Sequence, residues 1–269
     1  MSDRLDVDLV RRGLARSRGH ARELIEAGLV SVAGRDVTKP SYAVPPGASV
    51  QVREAGPTWV SRAAAKLVGA FAAFGPRGLS AAGKRCADVG ASTGGFTEVL
   101  LHEGADHVVA IDVGHGQLVA ALATDPRVTE CSGVTVRGLT ADRIGGPVDL
   151  VVADLSFISL TLVLPEIAGL MTEAADALVL VKPQFEVGRE RLGKNGLVRR
   201  AADRAWAVTE VARSATDAGL TPLGLSRSPL AGSTGNIEYL LWLTRRTEEG
   251  MGWEAVVATA DRLSLDGAL

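Results

Sequence analysis

Only two cysteines, Cys86 and Cys131, occur in 269 residues, and they match neither a zinc spacing nor a disulfide framework. A reduced, cytoplasmic protein without a structural metal is therefore expected. Aromatic residues make up just 4% of the chain against 46% hydrophobic residues overall, so Ala, Val and Leu must fill the core, as they do in α/β proteins. No apolar run approaches the roughly 18 residues that a membrane span needs. The polar start Met-Ser-Asp-Arg-Leu-Asp carries no signal-peptide pattern. Neither sign of charge dominates: the net charge is −2 and the pI about 6.1, which does not mark the whole chain as a nucleic-acid binder. That average hides an asymmetry. Residues 1–55 carry nine Lys/Arg against seven Asp/Glu, and the remainder carries 20 against 24.

What is present centres on residues 84–101, which read as strand, glycine turn and helix in immediate succession. Cys86, Ala87 and Val89 suit a short buried strand, and Phe96, Val99 and Leu100 recur at helical spacing. Between them, Gly90, Gly94 and Gly95 allow torsions and close approaches that a Cβ would block, and the new helix offers free N–H groups to a polar ligand. The spacing Gly-x-x-x-Gly-Gly differs from the Gly-x-Gly-x-x-Gly dinucleotide fingerprint. A second strand, His107–Asp112, ends in a carboxylate 22 residues after Gly90, where a ribose-binding acid is expected. The alternative is that Asp112 caps a helix starting near His115.

Residues 4–30 place Leu5, Leu9 and Val10 on one helical face and Ala21, Leu24 and Ile25 on another. Gly13 fits the stop of the first helix, Ser17 the N-cap of the second, and Gly28 its C′ position. Strand-like alternation follows from Val30 and again over Ala48–Val52, around a Gly34-Arg35-Asp36 turn, giving a small ααβ module. Arg11, Arg12, Arg16, Arg18 and Arg22 fall within twelve residues that contain no acid, and unpaired arginines at a helix start suit phosphate contact. The alternative is a solvated charged face. From Arg4 to Val52 the pattern resembles the S-four RNA-binding domain, through Arg4-Leu-Asp6, Gly13-Leu-Ala, Ser17-Arg, Leu24-Ile25, Gly28-x-Val30-x-Val32 and Gly34.

Gly56 and Pro57 break the periodicity, so the expected domains are 1–55, a linker at 56–60, and 61–269. The helix expected over Val60–Phe74 takes Ser61 as cap, turns Leu67, Val68, Phe71 and Phe74 to the core, and carries Lys66 in its middle. Strand-like and helix-like segments then alternate: His107–Asp112, Gly116–Thr124, Val128–Glu130, Val148–Asp154, Leu160–Met171 and Ala177–Lys182. Such alternation predicts a parallel sheet wound by helices. A glycine-rich loop (188–196), a helix near 201–218 and strands over Leu220–Ser226 and Ile237–Thr244 complete it, the last two forming an antiparallel hairpin.

In an open parallel sheet the ligand sits beyond the strand C-termini, which points to Asp112, Asp154 and Lys182. A structural Asp–Lys ion pair is the alternative for the last two. The order Lys66, Asp154, Lys182, Glu238, with the turn Asp88-Val-Gly-Ala-Ser-Thr-Gly-Gly-Phe96, resembles the FtsJ-type ribose 2′-O-methyltransferases, whose catalytic tetrad is Lys-Asp-Lys-Glu. With Trp59-Val-Ser-Arg62, Ala153–Ser159, Val181–Gly188 and Ser228-Pro229, nearly the whole chain resembles the TlyA family, which methylates cytidine 2′-hydroxyls in ribosomal RNA and has carried the label haemolysin.

The resemblance implies an α/β fold: a Rossmann-like class I methyltransferase domain preceded by a small α+β S-four-type domain. It implies S-adenosylmethionine as cofactor, bound by Asp88, Gly90, Ala91, Ser92, Thr93, Gly94, Phe96, Asp112 and Asp154. It implies ribosomal RNA in the ribosomal subunits as partner, met by Arg4, Arg16, Arg18, Lys39, Arg62, Phe157 and Thr234, with no metal and no membrane. Lys182 is expected to be the general base, since a lysine serves as one only where burial and neighbouring positive charge favour its neutral form. Phe157 is expected to stack on a displaced base, ordinary core packing being the alternative. Two departures stand out: Gly56-Pro57-Thr58-Trp59 replaces an Arg-Ala-Trp pattern, and Thr135 stands where a polar amide is expected on the adenine side. Among competing functions, base-carbon methylation lacks its cysteine near Asp154-Leu-Ser-Phe157, and amino-methyl transfer lacks its diproline. A pore-forming haemolysin lacks an apolar span, and a non-catalytic binding module would not need the complete tetrad.

Overall fold

In the computed structural model, which describes residues 3–26, 28–52, 59–246 and 250–265, α1 (Leu5–Arg11) and α2 (Arg18–Glu26) bury Leu5, Leu9, Ala21, Leu24 and Ile25 in one small core. The backbone amide of His20 donates to the Ser17 hydroxyl (3.2 Å), the cap expected from sequence. Gly13 and Gly28 take left-handed conformations just past the two helices. Val30 and Val32 of β1 (Val30–Val32) join that core, flanked by β2 (Arg35–Asp36) and β3 (Val50–Val52) in the order β2-β1-β3. The tight turn lies one residue earlier than expected. Ala33 and Gly34 both have positive φ, as a two-residue hairpin turn demands, so Arg35 and Asp36 already belong to the returning strand.

This first unit spans Met1–Thr58 and the second Trp59–Leu269. Of the expected linker, residues 56–58 lie outside the described residues. Trp59 and Val60 pack on the second unit, where the Val60 amide donates to Glu98 Oε2 (2.7 Å).

The second unit opens with α3 (Ala64–Phe74), four residues later than expected, and Ser61 offers it no side-chain cap. Its buried stripe runs through Leu67, Ala70, Phe71 and Phe74 at helical spacing; Val68 falls off that stripe and is 37% exposed instead of facing the core. Then follow β4 (Arg85–Val89), α4 (Gly95–His102), β5 (His107–Asp112), α5 (Ala120–Ala123), β6 (Val128–Ser132), β7 (Val148–Ala153) and α6 (Leu164–Gly169). Next come β8 (Met171–Val181), α7 (Pro183–Glu186), α8 (Ala201–Asp217), β9 (Thr221–Arg227), β10 (Tyr239–Thr244) and α9 (Trp253–Leu265).

The sheet order is β6-β5-β4-β7-β8-β10-β9, with β10 antiparallel to both neighbours and the rest parallel. This is the wound α/β sheet with an antiparallel hairpin expected from the alternation of elements, and it agrees with the methyltransferase fold that the resemblance implies. Strand β8 starts at Met171 and not at Ala177. A bulge against β7, where pairing jumps from Val148–Met171 to Leu150–Asp176, absorbs the polar stretch that hid it. Two further differences concern helices: α5 is a single turn within the expected Gly116–Thr124, and α9, which sequence reasoning missed, buries Val256 and Ala260.

The strongly apolar strands put two sheets of side chains in the interior. One face buries Val109, Val151, Val179 and Leu241 beneath α6, α8 and α9; the other buries Val108, Leu150, Leu178 and Leu240 beneath α3 and α4. Burial of this kind contributes roughly 1.5–3 kcal/mol per large side chain, which holds the polar strand ends in fixed positions.

Candidate active site

The turn after β4 is shaped by its glycines. Gly90 has φ 90°, and a Cβ there would lie 2.8 Å from the carbonyl oxygen of Asp154; Gly94, at φ 101°, rests on Leu118 and Leu122. Residues 90–94 are thereby pressed against the ends of β5 and β7. Asp112 locks the turn: its Oδ2 accepts the Ser92 amide (2.8 Å) and its Oδ1 the Gly114 amide (2.7 Å). The alternative of capping a helix near His115 fails, since α5 starts only at Ala120. Each carboxylate oxygen retains a second lone pair toward the cleft.

Asp88 lies deeper. It is fully buried, its Oδ2 accepts the Thr97 hydroxyl (2.7 Å) and its Oδ1 has no hydrogen-bond partner among the described residues. Burial pushes its carboxyl up to about 7, against the bond from Thr97, and the nearby Asp154 pushes in the same direction. Asp88 therefore sits under the turn and Gly94 behind it, while Gly90, Ala91, Ser92, Thr93, Phe96, Asp112 and Asp154 line open space.

Three hollows meet along the strand ends. The first, about 480 Å³, runs from Gly90 and Asp112 past Val134, Thr135 and Val136 to Asp154. The second, about 250 Å³, lies between Ser61–Ala63, the glycine turn and Lys182. The third, about 440 Å³, is walled by Arg62, Lys66, Phe157, Lys182, Thr234 and Glu238. Asp154 is shared by the first two and Lys182 by the last two.

At this junction the four tetrad side chains form one chain of contacts. Lys182 Nζ lies 2.6 Å from Asp154 Oδ1, Lys66 Nζ lies 3.5 Å from Asp154 Oδ2, and Lys66 Nζ lies 2.7 Å from Glu238 Oε2. Both lysines are only 7% exposed and Glu238 2%, so two buried cations are matched by two carboxylates. The topology explains the convergence. Asp154 follows β7 and Lys182 follows β8, and the antiparallel pair Tyr239–Val181 returns Glu238 to that same carboxyl edge. Lys66 comes from α3, whose Gly69 lets Pro229 approach so closely that a Cβ would lie 2.6 Å from the ring.

Sequence reasoning assigned no role to Ser156 or Phe185. Lys182 Nζ donates to Ser156 Oγ (2.9 Å) and lies 6.0 Å from the centre of the Phe185 ring, which itself sits 5.3 Å from Phe157. Ser156 could have been found, standing two residues after Asp154; Phe185 gives no signal apart from lying three residues beyond Lys182. Phe157 is 91% exposed with φ 65°, so core packing is excluded for it. Arg62 donates to the Ala231 carbonyl (2.7 Å) at the rim, and Thr234 lines the wall opposite.

In the first unit the expectation of unpaired arginines needs correcting. Buried Asp6 pairs with Arg4 (3.0 Å), Arg18 (3.0 Å) and Arg22 (3.7 Å), and buried Asp8 pairs with Arg11 and Arg12. The acids come from the preceding helix, outside the twelve-residue window. Hydrogen bonds from Arg4 and then Arg18 hold the Asp6 carboxyl down at about 2. The side chains of Arg4, Arg18 and Arg22 remain about half exposed around buried Asp6, and Arg16 and Lys39 are exposed as well.

A glycine turn after the first strand, an acid ending the second and a Lys-Asp-Lys-Glu chain at the carboxyl edge define an α/β enzyme of the methyltransferase type. Known proteins agree. The FtsJ-like methyltransferase family matches residues 59–245 and the S4 domain residues 3–50. The 16S/23S rRNA (cytidine-2′-O)-methyltransferase TlyA of Mycobacterium tuberculosis is 50% identical over 265 residues, 98% of each chain. Hemolysin A of Brachyspira hyodysenteriae is 36% identical over 88% of this chain and 98% of its own. A solved structure from Streptococcus thermophilus, described as a candidate hemolysin, superposes with a TM-score of 0.70 at 36% identity, covering 97% of this chain and 96% of that one. The chain belongs to the TlyA family of FtsJ-like methyltransferases.

Proposed function

We propose that this enzyme transfers a methyl group from S-adenosylmethionine to the ribose 2′-hydroxyl of a cytidine in 16S and/or 23S ribosomal RNA. The observation that carries the reading is the Lys182–Asp154–Lys66–Glu238 chain, set where the first two hollows meet the third. A ribose hydroxyl is a weak nucleophile near neutral pH, so it needs a base within hydrogen-bond reach and an aligned approach.

The first two hollows fit the cofactor: their volume suits a molecule of that size, and Asp112 has lone pairs left for a diol. S-adenosylmethionine, when bound, supplies a sulfonium-activated methyl group. Gly90, Ala91, Ser92, Thr93 and Phe96 shape its seat, Asp88 and Gly94 support the turn from below, and Val134–Val136, including Thr135, form the apolar wall for an adenine. In its neutral form Lys182 Nζ, facing the third hollow, takes the hydroxyl proton and becomes the ammonium that pairs with Asp154, while Asp154 and Ser156 fix its direction. Lys66, held by Glu238, keeps Asp154 in place from the other side.

The exposed ring of Phe157 is a stacking surface for a base turned out of its helix. Arg62 and Thr234 border the same hollow, and Arg4, Arg16, Arg18 and Lys39 dock RNA on the first unit. The proposed division of labour is RNA docking by residues 1–55, a linker at 56–60 and catalysis by 61–269, in the cytoplasm where ribosomes are. No step uses a metal ion. The hemolysin names among the relatives carry no comparable support: no helix among the described residues is long and apolar enough to cross a membrane.

The test is to map ribose methylation on ribosomal RNA from cells with and without the gene, and to restore it with purified enzyme and cofactor. A cytidine methylated only when the gene is present is expected; identical maps would overturn the proposal.

A further inference from the structure

The loop between α7 and α8 carries Arg189, Arg191, Lys194, Arg199 and Arg200 against a single acid, Glu190. It is thus a cationic loop in a portion of the chain where acids outnumber bases 24 to 20. Arg189, Lys194 and Arg199 are exposed, and none of them forms an ion pair among the described residues. Arg200 lies 3.9 Å from Asp203, and Arg191 stacks on Trp206 at 4.2 Å. The same loop forms one wall of the third hollow through Leu192, Asn195 and Gly196.

The loop is also fastened from beneath. Asn236, two residues before Glu238, accepts the Val198 amide (2.9 Å) and donates to the Gly196 carbonyl (2.9 Å). Buried Arg204 donates to the carbonyls of Val198 (3.1 Å) and Arg199 (2.7 Å). Val187 and Val198 form a small apolar cluster with Ala207. Unpaired cations on an anchored loop differ from a solvated face: the backbone that carries them is already ordered beside the tetrad, so binding need order only the side chains.

We infer that Arg189, Lys194 and Arg199 form an RNA phosphate clamp belonging to the catalytic unit itself, gripping the backbone beside the target nucleotide. The inference rests on the proposed RNA substrate and assigns part of its affinity to this loop. The phosphates draw the cations because each contact releases condensed counterions, an effect that salt suppresses.

The test uses the full chain carrying Arg189→Gln, Lys194→Gln and Arg199→Gln together, titrated with protein-free ribosomal RNA between about 50 and 200 mM salt. The slope of log affinity against log salt is expected to fall by about 2–3, at roughly 0.7–0.9 per lost phosphate for three contacts. KM for RNA should rise about tenfold near the upper salt concentration, with kcat at saturating RNA, cofactor affinity and melting temperature unchanged. A variant with Arg189→Lys and Arg199→Lys should keep the wild-type slope, because a point charge suffices. A triple variant with wild-type slope and KM overturns the inference. Since the slope is read from binding alone, absence of methylation by the wild-type enzyme would sink the proposed reaction without touching this measurement.

Discussion

Replacing Lys182 separates its two proposed roles, base and charged partner. In Lys182→Met the amine is lost while most of the stem volume remains. Asp154, only 13% exposed in its side chain, then loses the contact at 2.6 Å and keeps Lys66 at 3.5 Å. Breaking a buried pair outright costs about 3–5 kcal/mol. With Lys66 still beside Asp154, a loss of about 1–3 kcal/mol is expected, small enough for the variant to fold. The chemical step should suffer more: removal of a general base costs about 10²–10⁴-fold in rate. Lys182→Arg keeps the positive charge on Asp154 but cannot release a proton at usable pH, so its kcat should fall as far as that of Lys182→Met. The assay is transfer of a labelled methyl group to ribosomal RNA under single-turnover conditions, with cofactor affinity from calorimetry as the control. An arginine variant retaining most of the wild-type rate would refute the reasoning, and the base would then have to be sought at Lys66 or in water.

Two further expectations concern Phe157 and Asp88. In Phe157→Ala, methylation should fall by about 10–100-fold, in line with roughly 1–3 kcal/mol per stacked base, while the melting temperature stays put because the ring is solvent-exposed; a large drop in melting temperature would show that the ring supports the fold. Asp88 titrates near 7 in the folded protein against 3.8 in an unfolded chain, so between those values the native state binds the extra proton. Stability should therefore decline as pH rises from about 4 through about 7, by at most about 4 kcal/mol. Asp88→Asn should flatten that part of the profile in denaturant titrations, and a variant profile parallel to wild type would show that Asp88 is not the group responsible.

Much of this enzyme is determined by sequence alone. The alternation of apolar strands and amphipathic helices dictates the wound sheet. Gly90, Gly94 and Gly95 dictate the turn, and the charges closing otherwise apolar strands mark Asp112, Asp154 and Lys182, because a buried strand tolerates a charge only at its end. Elements whose formation depends on distant partners were less legible. Strand β8 begins in a polar stretch that a bulge against β7 accommodates, and α5 keeps only one turn of the helix expected there.

Pairing across sequence distance was decided by tertiary structure. The arginines of the first unit look unpaired in a linear window, yet Asp6 reaches Arg18 and Arg22 from the neighbouring helix, while Asp8 pairs with Arg11 and Arg12 one turn further along its own. Ser156 and Phe185 acquire their places beside Lys182 only when the loops after β7 and β8 are brought side by side. The tetrad residues are spread from 66 to 238 along the chain. What brings them within hydrogen-bond distance is the parallel run of β7 and β8, the antiparallel return of β10, and the close seat of Gly69 on Pro229. A linear sequence records which residues can carry a charge; where that charge is shielded from water and what it touches depend on packing, since Coulomb interactions act through space and weaken where solvent enters.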